Sequence, residues 1–317
     1  MWLQVRLYLL LGLMFALVYG FITGIATWLG FGSLVFYAVM AFILVGIQYM
    51  IGPSIVGWTM RVRYVSEKEE PELHKMVAEL AQSAGIPKPK IGISALNMPN
   101  AFAFGRTRGD ARVCVTQGIL RLLNRDELRA VMGHEISHIK HRDMAMITLL
   151  SVVPMVMWFI AWSLMWSGRG RGNAGYTALI GIGAFFLYFV SNLMVLYASR
   201  IREYYADQGS VRMGNEPHNL ATALYKLVYG NARVTKESLG QAEGLKAFFV
   251  NDPSRAWNEI RELRQVDLNL SGTIDASELL ALRSKTVRVS NSQKFMELMG
   301  THPNMLKRIK HLSTLVR

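Results

Sequence analysis

Three long apolar runs dominate the chain. No Asp, Glu, Lys or Arg occurs from Leu7 to Met60, from Met144 to Gly168, or from Gly172 to Ser199. A bilayer-spanning helix needs about 20 predominantly apolar residues, so the first run has room for two. Gly30-Phe31-Gly32-Ser33 offers a turn inside it, which gives spans over 7–27 and 33–52. Ser167-Gly168-Arg169-Gly170-Arg171-Gly172 is a polar, Gly-rich connector between the other two runs. Pro154 would kink the third span, and neighbouring helices can accommodate that. The pattern therefore predicts two transmembrane helical hairpins, over residues 1–60 and 144–199. The competing reading of the first is a cleaved signal peptide, but the run is too long and ends in no small-residue cleavage site. The competing reading of the second is a buried hairpin in a soluble core, for which such uncharged runs are long.

Between and after the hairpins the periodicity changes. Residues 61–143 read as a mixed α/β part. Leu73 to Ala84 has helical spacing and stops at Gly85-Ile86-Pro87. Lys90 to Ile93 and Arg112 to Thr116 read as strands, and Asn100-Ala101-Phe102-Ala103-Phe104-Gly105 as a strand at a sheet edge. Arg106 to Asp110 is the turn between the last two. Residues 200–317 read as mainly helical, with breaks near Gly214–Pro217, Gly230–Asn231 and Val287–Ser292. The fold class is an α+β membrane protein with a small β-sheet.

Composition narrows the partners. The chain has 317 residues, 51% hydrophobic and 18% charged, with 35 Lys and Arg against 22 Asp and Glu for a net charge of +13. Disorder is excluded by the apolar content. A single cysteine, Cys114, excludes a disulfide scaffold and a cysteine-only zinc site. It reads as a plain buried thiol. The bases cluster at the span ends: Arg6, Arg61, Arg63, Lys68, Lys140, Arg142, Arg200 and Arg202 fall on one side, Arg169 and Arg171 on the other. That asymmetry places the first side, with both termini and the polar parts, in the cytoplasm. A membrane-apposed basic face accounts for the charge, and no nucleic-acid motif is present.

The chemistry centres on His134-Glu135-Ile136-Ser137-His138. Asn124 followed by Glu127 is a capping box that starts a helix over about 125–142. Leu128, Met132, Ile136 and Ile139 line one face. His134 and His138 project from the same side, one turn apart, which suits two ligands of one tetrahedral zinc. Zinc lowers the pKa of a bound water to about 7 and polarises a peptide carbonyl. Glu135 points elsewhere around the helix and can move the proton without binding the metal. The alternative is two surface histidines beside an acid. Glu203, directly after the fourth span, is the expected third ligand, and Asp207 one turn on is expected to orient a ligating imidazole, His134. An even number of crossings returns Glu203 to the side of His138. The alternative for Glu203 and Asp207 is a solvated acidic face. His141 is expected to be a solvated helix end rather than a ligand.

This motif, the hydrophobic hairpin after it, and Ser199-Arg200-Ile201-Arg202-Glu203-Tyr204-Tyr205-Ala206-Asp207 resemble membrane-integral zinc metalloproteases of the HtpX type. These are relatives of the CAAX prenyl protease and of the mitochondrial inner-membrane protease Oma. The N-terminal hairpin, Asn97 to Gly105 and Thr301-His302-Pro303 also look like family elements. The resemblance implies a zincin-type catalytic domain with zinc on His134, His138 and Glu203 and with Glu135 as base. It further implies endoproteolysis of membrane or misfolded proteins at the cell membrane, in stress-related quality control. Asn100, Ala101, Phe102 and Ala103 would hold substrate backbone by strand addition, or form an ordinary edge strand. His302 would donate to the oxyanion, or be a helix-start His-Pro pair without chemistry. A prenyl-peptide protease is a second reading, disfavoured by chain length and the number of spans.

One element lies outside that pattern. Asp267, Asn269, Ser271 and Asp275 occupy positions 1, 3, 5 and 9 of a 12-residue EF-hand-like loop that ends at Glu278, with Gly272 at position 6 and Thr273 at position 7. Helices are expected on either side, over 255–266 and 277–283. Calcium is one reading of this loop. An Asx-rich turn that caps a helix is the other, and no second loop is present to pair with it. A silent membrane scaffold that senses calcium is the corresponding non-enzymatic alternative, against which the intact His134, Glu135, His138 and Glu203 set argues.

Overall fold

The computed structural model describes residues 34–167, 174–232, 256–263 and 265–316. The expected first span, the two inter-span turns, and Arg6, Arg169 and Arg171 lie outside them. The chain divides into two compact units. One comprises the described parts of Met1–Ile51 with Ala145–Ala198. The other comprises Gly52–Met144 and Ser199–Arg317.

The described part of the first unit comprises the start of α1 (Leu34–Thr59), most of α5 (Asp143–Ser167) and the apolar part of α6 (Ala174–Arg212). Within it, Trp158 of α5 packs on Tyr188 and Phe185 of α6, with ring centroids 5.3 and 6.2 Å apart. Leu179, Ile182 and Phe186 point outward and are exposed. Among the described residues, Ala178–Arg212 is a helix long and apolar enough to cross a membrane, and Asp143–Trp158 is an apolar but shorter one. Helix α6 does not stop where the uncharged run ends. It continues unbroken through Arg200 and Asp207 to Arg212.

The second unit is α+β and mainly helical. Its small sheet has the order β1-β2-β4-β3, from β1 (Val62–Tyr64), β2 (Lys90–Ser94), β3 (Ala101–Phe104) and β4 (Arg112–Thr116). β2 and β4 run parallel, pairing Ile91 with Val113. β1 and β3 run antiparallel at the two edges. The expected edge position of β3 is thus observed. Cys114, in the centre of β4, is fully buried, and burial pushes its thiol pKa up to about 12. β1 and the short α3 (Gln117–Leu122) were not foreshadowed by periodicity, because neither is long enough to show one.

Helix α2 (Pro71–Ala84) ends at Gly85, whose φ of +69° is the left-handed stop expected of that glycine. Helix α4 (Arg125–His141) starts at the anticipated capping box. Asn124 Oδ1 accepts from Glu127 N at 2.9 Å, and Glu127 Oε2 accepts from Asn124 N at 3.1 Å. Leu128, Met132, Ile136 and Ile139 are all buried in the main core. Helix α7 (Pro217–Ala232) packs against α4 and runs straight through Gly230–Asn231. It reaches Ala232, and residues 233–255 lie outside the described ones. Gly230 serves close packing, since a Cβ would stand 3.0 Å from Leu122 and 3.1 Å from Pro99. The remaining helices among the described residues are α8 (Ala256–Leu263), α9 (Ala276–Leu282), α10 (Asn291–Leu298) and α11 (Met305–Ser313). α8 and α9 flank the EF-hand-like loop close to where sequence placed them.

Candidate metal centre

Three side chains from two helices converge. His134 Nε2 and His138 Nε2 on α4 are 3.1 Å apart. His134 Nε2 lies 3.5 Å from Oε2 of Glu203 on α6, and His138 Nε2 lies 3.5 Å from Oε1 of the same carboxylate. Two nitrogen or oxygen ligands held tetrahedrally at 2.0–2.1 Å from one ion stand about 3.3 Å apart, so the cluster suits a single small cation held by the two imidazoles and this carboxylate. Among the described residues this is the one cluster of three or more His, Cys, Asp or Glu side chains disposed to hold a metal.

The opposite ring nitrogens are both committed. His134 Nδ1 meets Asp207 Oδ1 at 2.8 Å, as expected from sequence. His138 Nδ1 meets Asp143 Oδ2 at 2.6 Å. With each Nδ1 proton held by a carboxylate, each Nε2 lone pair faces the cluster, the tautomer that metal ligation requires. Asp143 reaches His138 because Arg142, the single residue between α4 and α5, adopts the left-handed conformation at φ +57°. That break folds the chain back on the last turn of α4. Arg202 then ties the corner to α6, donating from Nη1 to the Asp143 carbonyl at 2.8 Å.

Arg308 of α11 supports the other flank. Its side chain is fully buried and forks onto Asp207, with Nε to Oδ2 at 3.0 Å and Nη2 to Oδ1 at 2.7 Å. Its Nη1 also stands 2.9 Å from Glu203 Oε2. Burial opposes a charge on His134, yet hydrogen bonds to Asp207 and Glu203 outweigh it and raise its pKa to about 9. The pocket therefore favours positive charge at this position.

Glu135 is buried beside the histidines but outside the triangle. Burial pushes its carboxyl pKa upward, opposed by the two neighbouring imidazoles and by a hydrogen bond from the backbone of Ala103. That bond reports the geometry of β3. Thr116 N donates to Asn100 O at 2.9 Å, and the register continues with Phe102 opposite Cys114 and Phe104 opposite Arg112. In an antiparallel ladder such pairs alternate. Phe102 and Phe104 thus turn their main-chain groups to β4, while Ala101 and Ala103 turn theirs to the open edge, toward Glu135.

His302 also enters the site. Its Nδ1 lies 3.4 Å from Glu203 Oε2, and both ring nitrogens are buried without a hydrogen-bond partner. His141 stays out, its Nδ1 bonded to Ser137 O at 2.8 Å. Sequence reasoning missed Asp143, Arg202 and Arg308. Asp143 lies beyond the end of the helix it serves, and Arg308 has no spacing relation to the ligands.

The EF-hand-like loop is arranged differently. Asp267 accepts from Ser271 N at 2.9 Å, Gly272 N at 3.0 Å and Tyr225 Oη at 2.7 Å. Glu278 accepts from Leu268 N, Asn269 N and Asp275 N. Asp275 caps α9 by accepting from Glu278 N. Asn269 accepts from Ser271 N, and Ser271 Oγ meets Thr273 Oγ1. Ile274 N donates to Thr222 Oγ1 and Ile274 O accepts from the same hydroxyl, both at 2.9 Å. These are the contacts of an Asx-rich turn capping a helix and docked on α7. None of them requires an ion.

Two imidazoles and a carboxylate at metal-ligand spacing, with a buried acid alongside, are the constellation of a metal-dependent hydrolase. The comparisons agree, and the chain belongs to Peptidase family M48, whose sequence pattern matches residues 67–316. It is 54% identical to "Protease HtpX homolog" of Methanothermobacter thermautotrophicus, over 71% of this chain and 86% of that protein. It is 32% identical to the protein of the same name from Aeropyrum pernix, over 95% of both chains. The crystal structure of S. mikatae Ste24p superimposes with a TM-score of 0.53 at 16% identity, covering 97% of this chain and 67% of that one. That likeness is one of fold. The chain is a membrane metalloprotease.

Proposed function

We propose that the protein is a zinc endopeptidase in which His134, His138 and Glu203 hold the ion and Glu135 is the general base. The observation that carries this reading is the pair of Nε2 atoms 3.1 Å apart, each 3.5 Å from one of the two oxygens of the Glu203 carboxylate, with the far nitrogen of each imidazole fixed by a carboxylate. Bound zinc supplies Lewis acidity that brings a water pKa to about 7. Glu135 takes the proton of the attacking water and delivers it to the leaving amine. Its raised pKa suits both halves of that task. Ala101 pairs with an extended substrate through its outward N–H and C=O groups and Ala103 through its C=O, while Asn100 and Phe102 hold the strand against β4. Buried, unpartnered His302 donates to the developing oxyanion.

The domain arrangement read from sequence fits this chemistry. A first hairpin over 1–60 and a second over 144–199 flank catalytic parts at 61–143 and 200–317. The basic span ends place those parts and both termini on the cytoplasmic side of the cell membrane. Membrane proteins and unfolded chains are the substrates that such a placement offers.

Glu135→Gln tests the mechanism in detergent-solubilised protein with casein as an unfolded substrate. The variant is expected to keep its metal and lose cleavage. His134→Ala and Glu203→Gln are expected to lose the metal itself. Equal cleavage by wild type and Glu135→Gln would refute the assignment of the base.

A further inference from the structure

Helix α10 presents an apolar stripe that no protein surface among the described residues covers. Phe295, Leu298 and Met299 are 69%, 45% and 45% exposed. Their i, i+3, i+4 spacing puts them on one face. Gln293 and Glu297 occupy the buried face. The chain leading into this helix is basic. Arg283, Lys285, Arg288 and Lys294 are all exposed, and no acidic residue falls between Glu278 and Glu297.

The end of α10 is fastened to α6. Arg200 Nη1 donates to the carbonyls of Glu297 and Leu298 at 2.9 Å and of Gly300 at 2.8 Å. A cation against terminal carbonyls also complements the helix dipole. Arg200 is the first charge after the uncharged run that ends at Ser199. The stripe is therefore tethered to the first charged residue that follows the apolar run in the sequence.

We propose that α10 is an interfacial membrane helix. Phe295, Leu298 and Met299 seat among the acyl chains at the headgroup boundary, and the basic approach faces anionic headgroups. An apolar face flanked by Lys and Arg is the composition of helices that lie in that plane. Clustered exposed apolar side chains mark an interaction surface. The Arg200 tether and the basic flank select a lipid surface over a protein as its occupant. The proposal rests on the reading of α6 as a membrane span.

The test uses the full chain in nanodiscs containing phosphatidylglycerol. Cys114 is the single cysteine and is fully buried, so an introduced cysteine can be labelled selectively. Phe295→Cys and Leu298→Cys carry a bimane fluorophore. Leu179→Cys on α6 is the in-span control, and Leu280→Cys on α9 is the water-facing control; both positions are exposed. Labels at Phe295 and Leu298 are expected to be quenched by lipid-borne nitroxide, as at Leu179, and shielded from iodide several-fold relative to Leu280. If the label at Leu179 is quenched while those at Phe295 and Leu298 behave like that at Leu280, the proposal is overturned and the span stands. Absence of quenching at Leu179 as well overturns both. Shielding from iodide without nitroxide quenching would assign the stripe to a protein surface, a second copy or residues 233–255. Shielding that appears only on adding unfolded casein would assign it to substrate. Either result overturns the proposal.

Discussion

His138 and Asp143 are joined, Nδ1 to Oδ2 at 2.6 Å, across the break between α4 and α5. The pair matches the link between His134 and Asp207 on the other imidazole. Each histidine of the pair thus has its own carboxylate, one supplied by the start of α5 and the other by α6. Removing such a partner typically lowers metal affinity 10- to 100-fold. Asp143→Ala is expected to fall in that range in a competitive chelator titration, with Asp143→Asn losing less because the amide can still accept. Wild-type affinity in Asp143→Ala would show that the ring is oriented by packing alone.

Arg308 presents a different expectation, because its fully buried guanidinium balances two carboxylates. Deleting one partner of a buried charge network costs about 3–5 kcal/mol. Arg308→Met should lower the unfolding midpoint of the purified protein accordingly. Arg308→Lys should recover only part of the loss, since an ammonium cannot reproduce the two-pronged contact with Asp207. Denaturant unfolding in detergent measures both.

Close approach of α6 to α4 depends on a residue without a side chain. A Cβ on Gly209 would stand 2.0 Å from Ser137 Oγ and 2.6 Å from Ser137 Cβ. Gly209→Ala should cost about 1–3 kcal/mol by overpacking and move Glu203 away from the histidines. Metal affinity and stability should therefore fall together. Adding Ser137→Gly should restore both in part, and a double-mutant cycle gives the coupling. Purely additive effects would place the contact elsewhere.

The turn between β3 and β4 gives a pH signature remote from the metal. Asp110 is held down to a pKa of about 2, first by its hydrogen bond from Arg106 and further by Arg112. A carboxyl whose folded pKa is depressed contributes its full stability above the unfolded value of about 4. That contribution is lost as pH falls toward 2. Asp110→Asn should be less stable than wild type at pH 7, by about 1 kcal/mol after allowing for partial exposure. The two melting curves should converge on acidification between those limits.

Much of this architecture was legible in the chain because it is encoded by local pattern. The capping box at Asn124, the histidine pair one turn apart, the left-handed stop at Gly85 and the small–aromatic alternation of β3 each fall within a few residues. Pairing of His134 with Asp207 was also legible, because an acid one turn beyond a metal-ligand acid has little else to face. Asp143 and Arg308 were not. The first depends on a single left-handed residue, Arg142, which nothing in its side chain announces. The second lies on a helix brought to the site by tertiary packing alone. The packing role of Gly230 was hidden for a related reason: its value is the space it leaves for Pro99 and Leu122, and only the neighbours reveal that. The EF-hand-like spacing was real, but spacing does not say whether oxygen atoms face an ion or their own backbone.

The two halves of the metal-binding set are separated by all of α5 and the apolar stretch of α6. While a ribosome is still extruding those helices, the nascent chain carries a histidine pair with nothing opposite it. Maturation of the centre thus waits on completion and folding of the lipophilic segments. A hydrolase of this design cannot assemble its centre until the chain has been made through Glu203 of α6.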